Sequence, residues 1–509
     1  MSRMPVSYTD APRRFFHIKE FGGIDQSLDE GDMTLDGKVY TKDGYGFPTN
    51  TSNLAGEYID AESLGVPTGG AVRSMFIWTW IEPTGGTKAH LFVHKAVTSS
   101  SEVYSAQLYP NYDQSALTWT LVPGGELMPA DDLYNIHSIN YRNGTTELVI
   151  FAGKGTSTLF YYDGTSIKAI TDTGSPEKAS LVELHKERVW AAGGYDYPDR
   201  IYFSDDLNPL EWTSATDNAG VIDVPTWDGE SITALKAYND ALYIFKQNSI
   251  HRITGDTYAD FNLSQVSENV GAYSQECVAI LDDTCFVLNQ NGLYAFNGSS
   301  AAPVFQNELR SMFTEIGDFM LKNPTQKTYA SLTAFQGKLY INYGTATIRC
   351  IEIDLANGKI SSSPTKERLS GRGVHVIPHG NFSVIFPGVQ QSTTIVKAES
   401  PRGLGLMGGT SFRFTTGTSD FGDPAHHKRI KEITVIGSNS SLAGDGGVRI
   451  TPICDGVEGQ AVDFILPATR KTVTKRVTIR GKLIQLVITP TDSSTIVNDI
   501  LGEYTVQGV

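Results

Sequence analysis

The chain has 509 residues, 40% of them hydrophobic and 19% charged, with 50 glycines; it is too apolar for disorder, too long for one non-repetitive core, and so rich in turns that it points to β structure. Its 41 Lys and Arg against 56 Asp and Glu give a net charge of −15, the wrong sign for gripping a phosphate backbone over a wide surface, although a repelling wall would let DNA slide. Cys277, Cys285, Cys350 and Cys454 are too few for a disulfide framework and have no CxxC spacing, so buried free thiols are expected.

The opening segment, MSRMPVSYTDAPRRFFHIKEF, has no apolar signal-peptide stretch, and no segment of the sequence approaches the ~20 apolar residues of a membrane span. Folding in a reducing cytoplasm is the expectation. Residues 1–68, rich in Gly and Asp with little alternation, read as an extended arm that lies over another surface. Within it Asp25, Asp29, Glu30 and Asp32 repel one another unless solvated or paired, which makes them candidates for a channel wall or partner groove, with a solvated loop as the alternative.

From residue 69 to 402 one phrase returns: a β-branched or aromatic strand, a tight polar turn, and a second strand ending in an aromatic and a Gly. LVELHKERVWAAGGYDYPDRIYFSD (181–205), ITALKAYNDALYIFKQNSIHRITG (232–255) and CVAILDDTCFVLNQNGLYAFNG (277–298) carry it most clearly. The turns AsnAsp and AspAsp precede the most apolar strands, as hairpins require. A spacing of about 40 to 55 residues fits four-stranded propeller blades, and counting the unit around MFIWTWIEP gives about seven of them.

Within this region His90 and His94 share a strand face at ~13 Å, too far apart for one metal ion. The stretch Ser204 to Trp212, SDDLNPLEW, resembles the Asp-box turn of sialidase propellers, where an Asp caps a hairpin over a packed aromatic. The one helix expected is Asn307 to Leu321, with Leu309, Met312, Phe313, Ile316 and Met320 at helical spacing.

The loop PRGLGLMGG (401–409) matches a dinucleotide fingerprint by spacing alone at Gly403, Gly405 and Gly408; outside a βαβ unit it reads as a linker. Beyond it, residues 403–509 turn to longer alternating strands such as RIKEITVIG and KLIQLVITP, a separate β-sandwich in which Ile484, Leu486 and Ile488 share one face. His426, His427, Lys428 and Arg429 form a small basic patch for an acidic partner or a phosphate, or else a solvated strand entry. No motif assembles a nucleophile, a base or a metal, so no catalytic residue, cofactor or metal is expected, and fold alone does not decide function.

The phrases HKERVWAAGGYDYPDRIYFSDDLNPLEWTS (185–214), ALKAYNDALYIFKQNSIHRITG (234–255) and LDDTCFVLNQNGLYAFNG (281–298) resemble the propeller proteins of tailed bacteriophages. These are tail nozzle or hub proteins of short-tailed phages, including those called packaged-DNA stabilisation proteins. FGGIDQSLDEGDMTLDGKVYTKDGY (21–45) is similar to the amino-terminal arm of that group, and TGTSDFGDPAHHKRIKEITV (416–435) to its closing β domain. The arm is compressed before Tyr58 relative to the group.

The resemblance implies an all-β virion protein of the tail: a propeller with an N-terminal arm and a C-terminal β domain. It implies a ring of six copies below the portal and adaptor, next to tail fibre or spike proteins. Such a ring continues the DNA channel and closes it until ejection; separately, the net charge of −15 points to a net-negative lumen that does not bind DNA tightly, and the lack of a catalytic motif to a protein that is not an enzyme. A receptor- or glycan-binding tail propeller is the runner-up, and a glycosidase comes third.

Overall fold

The computed structural model describes residues 12–28, 35–46, 51–55, 61–63, 71–81, 87–97, 100–107, 117–128, 136–143, 146–152, 158–176, 178–213, 218–226, 229–323, 330–335, 337–344, 349–364, 374–376, 383–385, 396–398, 412–439, 446–492 and 494–507. Seven four-stranded sheets follow one another along the chain, and together they form a seven-bladed β-propeller. The first strands of blades 1 to 7 are Ala71–Ile81, Ser138–Asn143, Leu181–His185, Ala234–Tyr238, Val278–Leu281, Ala330–Phe335 and Val374–Val376. First strands of blades 1 to 4 touch in succession, as do those of blades 5 and 6, so they are the inner strands around the axis.

Two-residue turns join the first two strands in blades 3, 4 and 5. Their twist matches that of the strands only when the central residues adopt positive φ. Asn239 and Asp240 do so at 45° and 60°, and so do Lys186 and Glu187 at 51° and 59°. Blades 2 to 5 are apolar on both faces, because their inner strands are covered on either side by a neighbour. Accordingly one buried cluster lies between blades 2 and 3 (Ile150, Val182, Trp212), the next between 3 and 4 (Trp190, Phe203, Leu235), and the next between 4 and 5 (Tyr243, Phe245, Val287).

The ring is closed by the chain's own beginning. Blade 7 takes three strands from residues 374–398 and its outermost one from Ala61–Ser63, antiparallel to Val396–Ala398. The remaining N-terminal residues differ from the extended arm expected over 1–68. Arg13–Ile24 is a strand that pairs antiparallel with Thr495–Gln507 and parallel with Gly37–Thr41. Its buried side, Phe16, Ile18, Phe21 and Ile24, loses strict alternation at Gly22 and Gly23, where the strand bends against blade 6. A Cβ on Gly23 would stand 2.8 Å from the Ile360 carbonyl oxygen.

This strand completes the larger sheet of a C-terminal sandwich, in the order 37–41, 13–24, 495–507, 427–439 and 471–481. The facing sheet is built on Gly447–Cys454 and Ile484–Pro490, and Ile484, Leu486 and Ile488 are buried as their alternation predicted. Phe21 meets Phe414 edge-on at 5.2 Å. Sandwich, N-terminal strand and blades 5 and 6 share one continuous core.

The helix spans Arg310–Lys322 and buries Phe313, Ile316, Gly317 and Met320. It begins three residues later than expected from Asn307, because Phe305 takes φ 57° and Leu309 N–H bonds the Phe305 carbonyl in a preceding turn. All four cysteines are free thiols, and Cys277, Cys285 and Cys350 are buried. Burial pushes the Cys285 thiol up to about 12. Among the described residues no helix is long and apolar enough to cross a membrane. The 403–408 glycine spacing lies outside the described residues.

Candidate functional site

The axis of the propeller is the first place to look for a site, since the inner edge of each inner strand is unpaired there. Glu183 of blade 3 lies 3.9 Å from Lys236 of blade 4. Burial pushes its carboxyl above the usual range, against the pull of Lys236 and of the Ala237 and Leu184 N–H groups that bond it. Glu183 thus caps the inner edge of blade 4. At the mouth where inner strands begin, His137 Nε2 stands 3.6 Å from Glu276 Oε1. These residues precede the inner strands of blades 2 and 5, three places apart in a ring of seven, so the pair spans the mouth. Side chains therefore cross the propeller's own axis.

The SDDLNPLEW stretch is a strap along the groove between blades 2 and 3. Leu207, at φ 59°, makes its tight turn, and Asp205 N–H bonds the Glu211 carbonyl at 2.8 Å. Its Trp212 side chain is buried between those blades, and the Trp212 backbone N–H donates to Asp172 Oδ2 at 2.8 Å. The role is packing. His90 sits among Trp78, Trp80 and Phe92, while His94 is buried with Nε2 3.0 Å from Ser101 Oγ. Among the described residues no group of three His, Cys, Asp or Glu is placed to hold a metal ion.

Of the acidic candidates, Asp25 accepts the Ser27 N–H and hydroxyl at 2.9 and 2.6 Å, closing a local turn. Asp29, Glu30 and Asp32 lie outside the described residues. The basic quartet is dispersed rather than gathered into one patch. His426 Nδ1 faces Asp423 at 2.9 Å and holds that carboxyl below its usual range. Lys428 is fully buried, donating to the Asp423 and Lys482 carbonyls, and burial lowers its ammonium. His427 is half-buried and Arg429 alone is exposed.

Two surfaces escaped the reading of the sequence. The first is the blade 3 loop Gly193–Asp199, which presents Tyr195 and Tyr197 at 78% and 53% exposure. Arg200 stacks 4.3 Å from the Tyr197 ring, and Lys178 pairs with Asp196 at 2.6 Å. Bonds from Val224 N–H to the Asp199 carbonyl and from Ile232 N–H to the Pro198 carbonyl fix the loop.

The second surface is the strand Lys471–Gly481, which ends the larger sandwich sheet, with no strand among the described residues paired to its other side. Lys471, Lys475, Arg476 and Arg480 on it are exposed; Arg449 and then Lys475 hold the Asp463 carboxyl below its usual range, and Glu432 stands opposite Arg476 on the next strand. The signal was present in the sequence: RKTVTKRVTIRGK (470–482) holds six cations and no acid.

No family model matches this chain, and no curated protein matches it. Solved structures resemble it in fold. The WD40 domain of Neurospora crassa Pan2 is 9% identical, over 67% of this chain and 90% of that one, at a TM-score of 0.35. The AfRom2 CNH domain is 10% identical, over 67% and 98%, at 0.39. An exo-β-1,3-galactanase from Phanerochaete chrysosporium is 10% identical, over 87% and 100%, at 0.29.

Proposed function

We propose that this chain is a structural, non-enzymatic virion protein of a phage tail, a nozzle or hub subunit that assembles into a ring around a DNA conduit. The observation that carries the reading is mechanical. One N-terminal segment supplies the closing strand of blade 7 and the strand Arg13–Ile24 of the sandwich, so propeller and sandwich are tied into one load-bearing body. Such a body suits a wall that holds against pressure from packaged DNA. Because the His137–Glu276 pair spans the propeller's own axis, the conduit would run between subunits. The resemblance of the repeated phrases to phage nozzle and hub propellers supports the same reading.

Class averages of the purified protein by electron microscopy test it: rings, six-fold under this reading, are expected. Isolated propellers at all concentrations and salts would overturn it. A second reading, a receptor- or glycan-binding tail propeller, is favoured by the exposed Tyr195 and Tyr197 beside Asp196 and Arg200. Aromatic faces next to polar groups suit sugar rings. Host polysaccharide retained by the protein and released by Tyr195→Ala with Tyr197→Ala would select that reading.

A further inference from the structure

Charge is segregated along this chain. Residues 403–509 contain 11 Lys and Arg against 10 Asp and Glu, so the first 402 residues, with 30 against 46, carry a net −16. Within the C-terminal domain the cations gather on the edge strand, where Lys471, Lys475, Arg476 and Arg480 stand exposed, with Arg429 opposite Arg480 on the next strand. Like charges directly opposite one another are destabilising on a sheet. Among the described residues carboxylates offset the strip only in part: Asp463 is bonded by Arg449 before it feels Lys475, and Glu432 stands opposite one of the four cations, Arg476, so the strip stays net positive.

The propeller carries the complement. The turns at one end of blades 3 to 5 expose Glu187, Asp206, Asp240, Asp256, Asp260, Asp282 and Asp283. Lys186 offsets Asp240 and Asp256, at 2.5 and 2.9 Å, and Arg188 stands 3.9 Å from Asp206. Acidic face and basic strip are different surfaces of one molecule, the arrangement that produces head-to-tail contacts and, when the rotation closes, rings.

We infer that the edge strand Lys471–Gly481 docks on the acidic turn face of blades 3 to 5 of a second copy of this chain. The inference rests on the ring reading above and names the surfaces that would make the ring. Complementary charge of this kind sets orientation and association rate more than raw affinity. Cations on an edge strand also keep foreign strands from pairing with it, a role that requires no partner face.

Sedimentation velocity separates these possibilities. Wild-type protein should be oligomeric at about 0.1 M salt and fall to single chains near about 1 M, where the Debye length shrinks from ~10 to ~3 Å. K475E/R476E/R480E should sediment as a single chain at low salt, with unchanged circular dichroism and melting temperature, and so should D282K/D283K. Mixing the two variants should restore the oligomer, because each reversed surface then meets a reversed partner and each native surface a native one.

A triple variant that remains oligomeric overturns the docking inference and leaves the ring reading standing. Wild-type protein that is a single chain at every salt overturns both. A triple variant with an unchanged oligomer that has lost retention of a labelled DNA duplex assigns the strip to nucleic acid and also overturns the inference.

Discussion

Arg188 is the buried side chain that anchors the strap of blade 3. Its Nη1 donates to the Ser204 carbonyl at 3.0 Å and to that of Asn218, and its guanidinium lies 5.9 and 5.8 Å from the Phe203 and Phe261 ring centres. Arg188→Ala would leave two carbonyls without their donor and a cavity between two rings, a loss of about 3 kcal/mol or more by chemical denaturation. Arg188→Lys keeps the charge but not the planar fork, and about half that loss is expected. Lys359 gives a pH signature. Its ammonium donates to the Thr51 carbonyl at 2.6 Å, and burial pushes it down to about 8 from 10.5. The folded value lies below the unfolded one, so the contribution of this group to stability is fully present above 10.5 and is lost as pH falls through about 8. Stability should therefore rise by up to roughly 3 kcal/mol between about pH 7 and about pH 10 on account of this side chain. Lys359→Met should flatten that part of the stability profile, and a slope unchanged in the variant would refute the assignment.

At the scale of elements, local chemistry was readable where it repeats. Turn pairs such as Asn239-Asp240 and Asp282-Asp283 mark hairpins that occur where expected, because few residue types accept positive φ. The helix was readable from its apolar spacing, but its start was not, since Leu309 and Phe305 settle that through backbone geometry. Its seating was not readable either. Gly317 lets the helix rest on the turn at Gln290, where an added Cβ would stand 2.3 Å from the Gln290 carbonyl oxygen. Ala is the better helix former by about 1 kcal/mol, yet a backbone oxygen cannot swing aside as a side chain would. The clash should dominate, and Gly317→Ala should destabilise by about 1–3 kcal/mol. A thermal melt shifted upward would show that the helix lifts freely. The basic strip has the opposite history: RKTVTKRVTIRGK is plain in the sequence, but its exposure follows from standing at a sheet edge, which depends on pairings with residues about forty positions away. Likewise the quartet at 426–429 reads as a patch until alternation buries Lys428 and turns His426 toward Asp423.

For the molecule as a whole, periodicity conveyed seven blades because every blade solves the same local problem, while closure is a long-range event that leaves no local mark. Ala61–Ser63 is three residues long and meets a strand more than three hundred positions later. Arg13–Ile24 meets the far end of the chain with Phe16, Ile18 and Phe21 buried. Nothing in an alternation pattern says which partner a strand will find. The consequence can be tested by deletion. A chain that begins at Pro67 lacks the outer strand of blade 7 and three strands of the sandwich sheet, Arg13–Ile24, Gly37–Thr41 and Leu54–Ala55. Both bodies would then expose strand edges, and the sandwich its apolar core, conditions that favour aggregation. The expected outcome is a protein that binds an apolar dye, melts without a sharp transition and precipitates. Residues 1–66 supplied as a separate peptide should restore solubility and a cooperative melt, because the pairing is made through strands and needs no covalent continuity. A deleted chain that melts as sharply as the full one would mean that propeller and sandwich close without the segment, and the tie between them would lose its mechanical meaning.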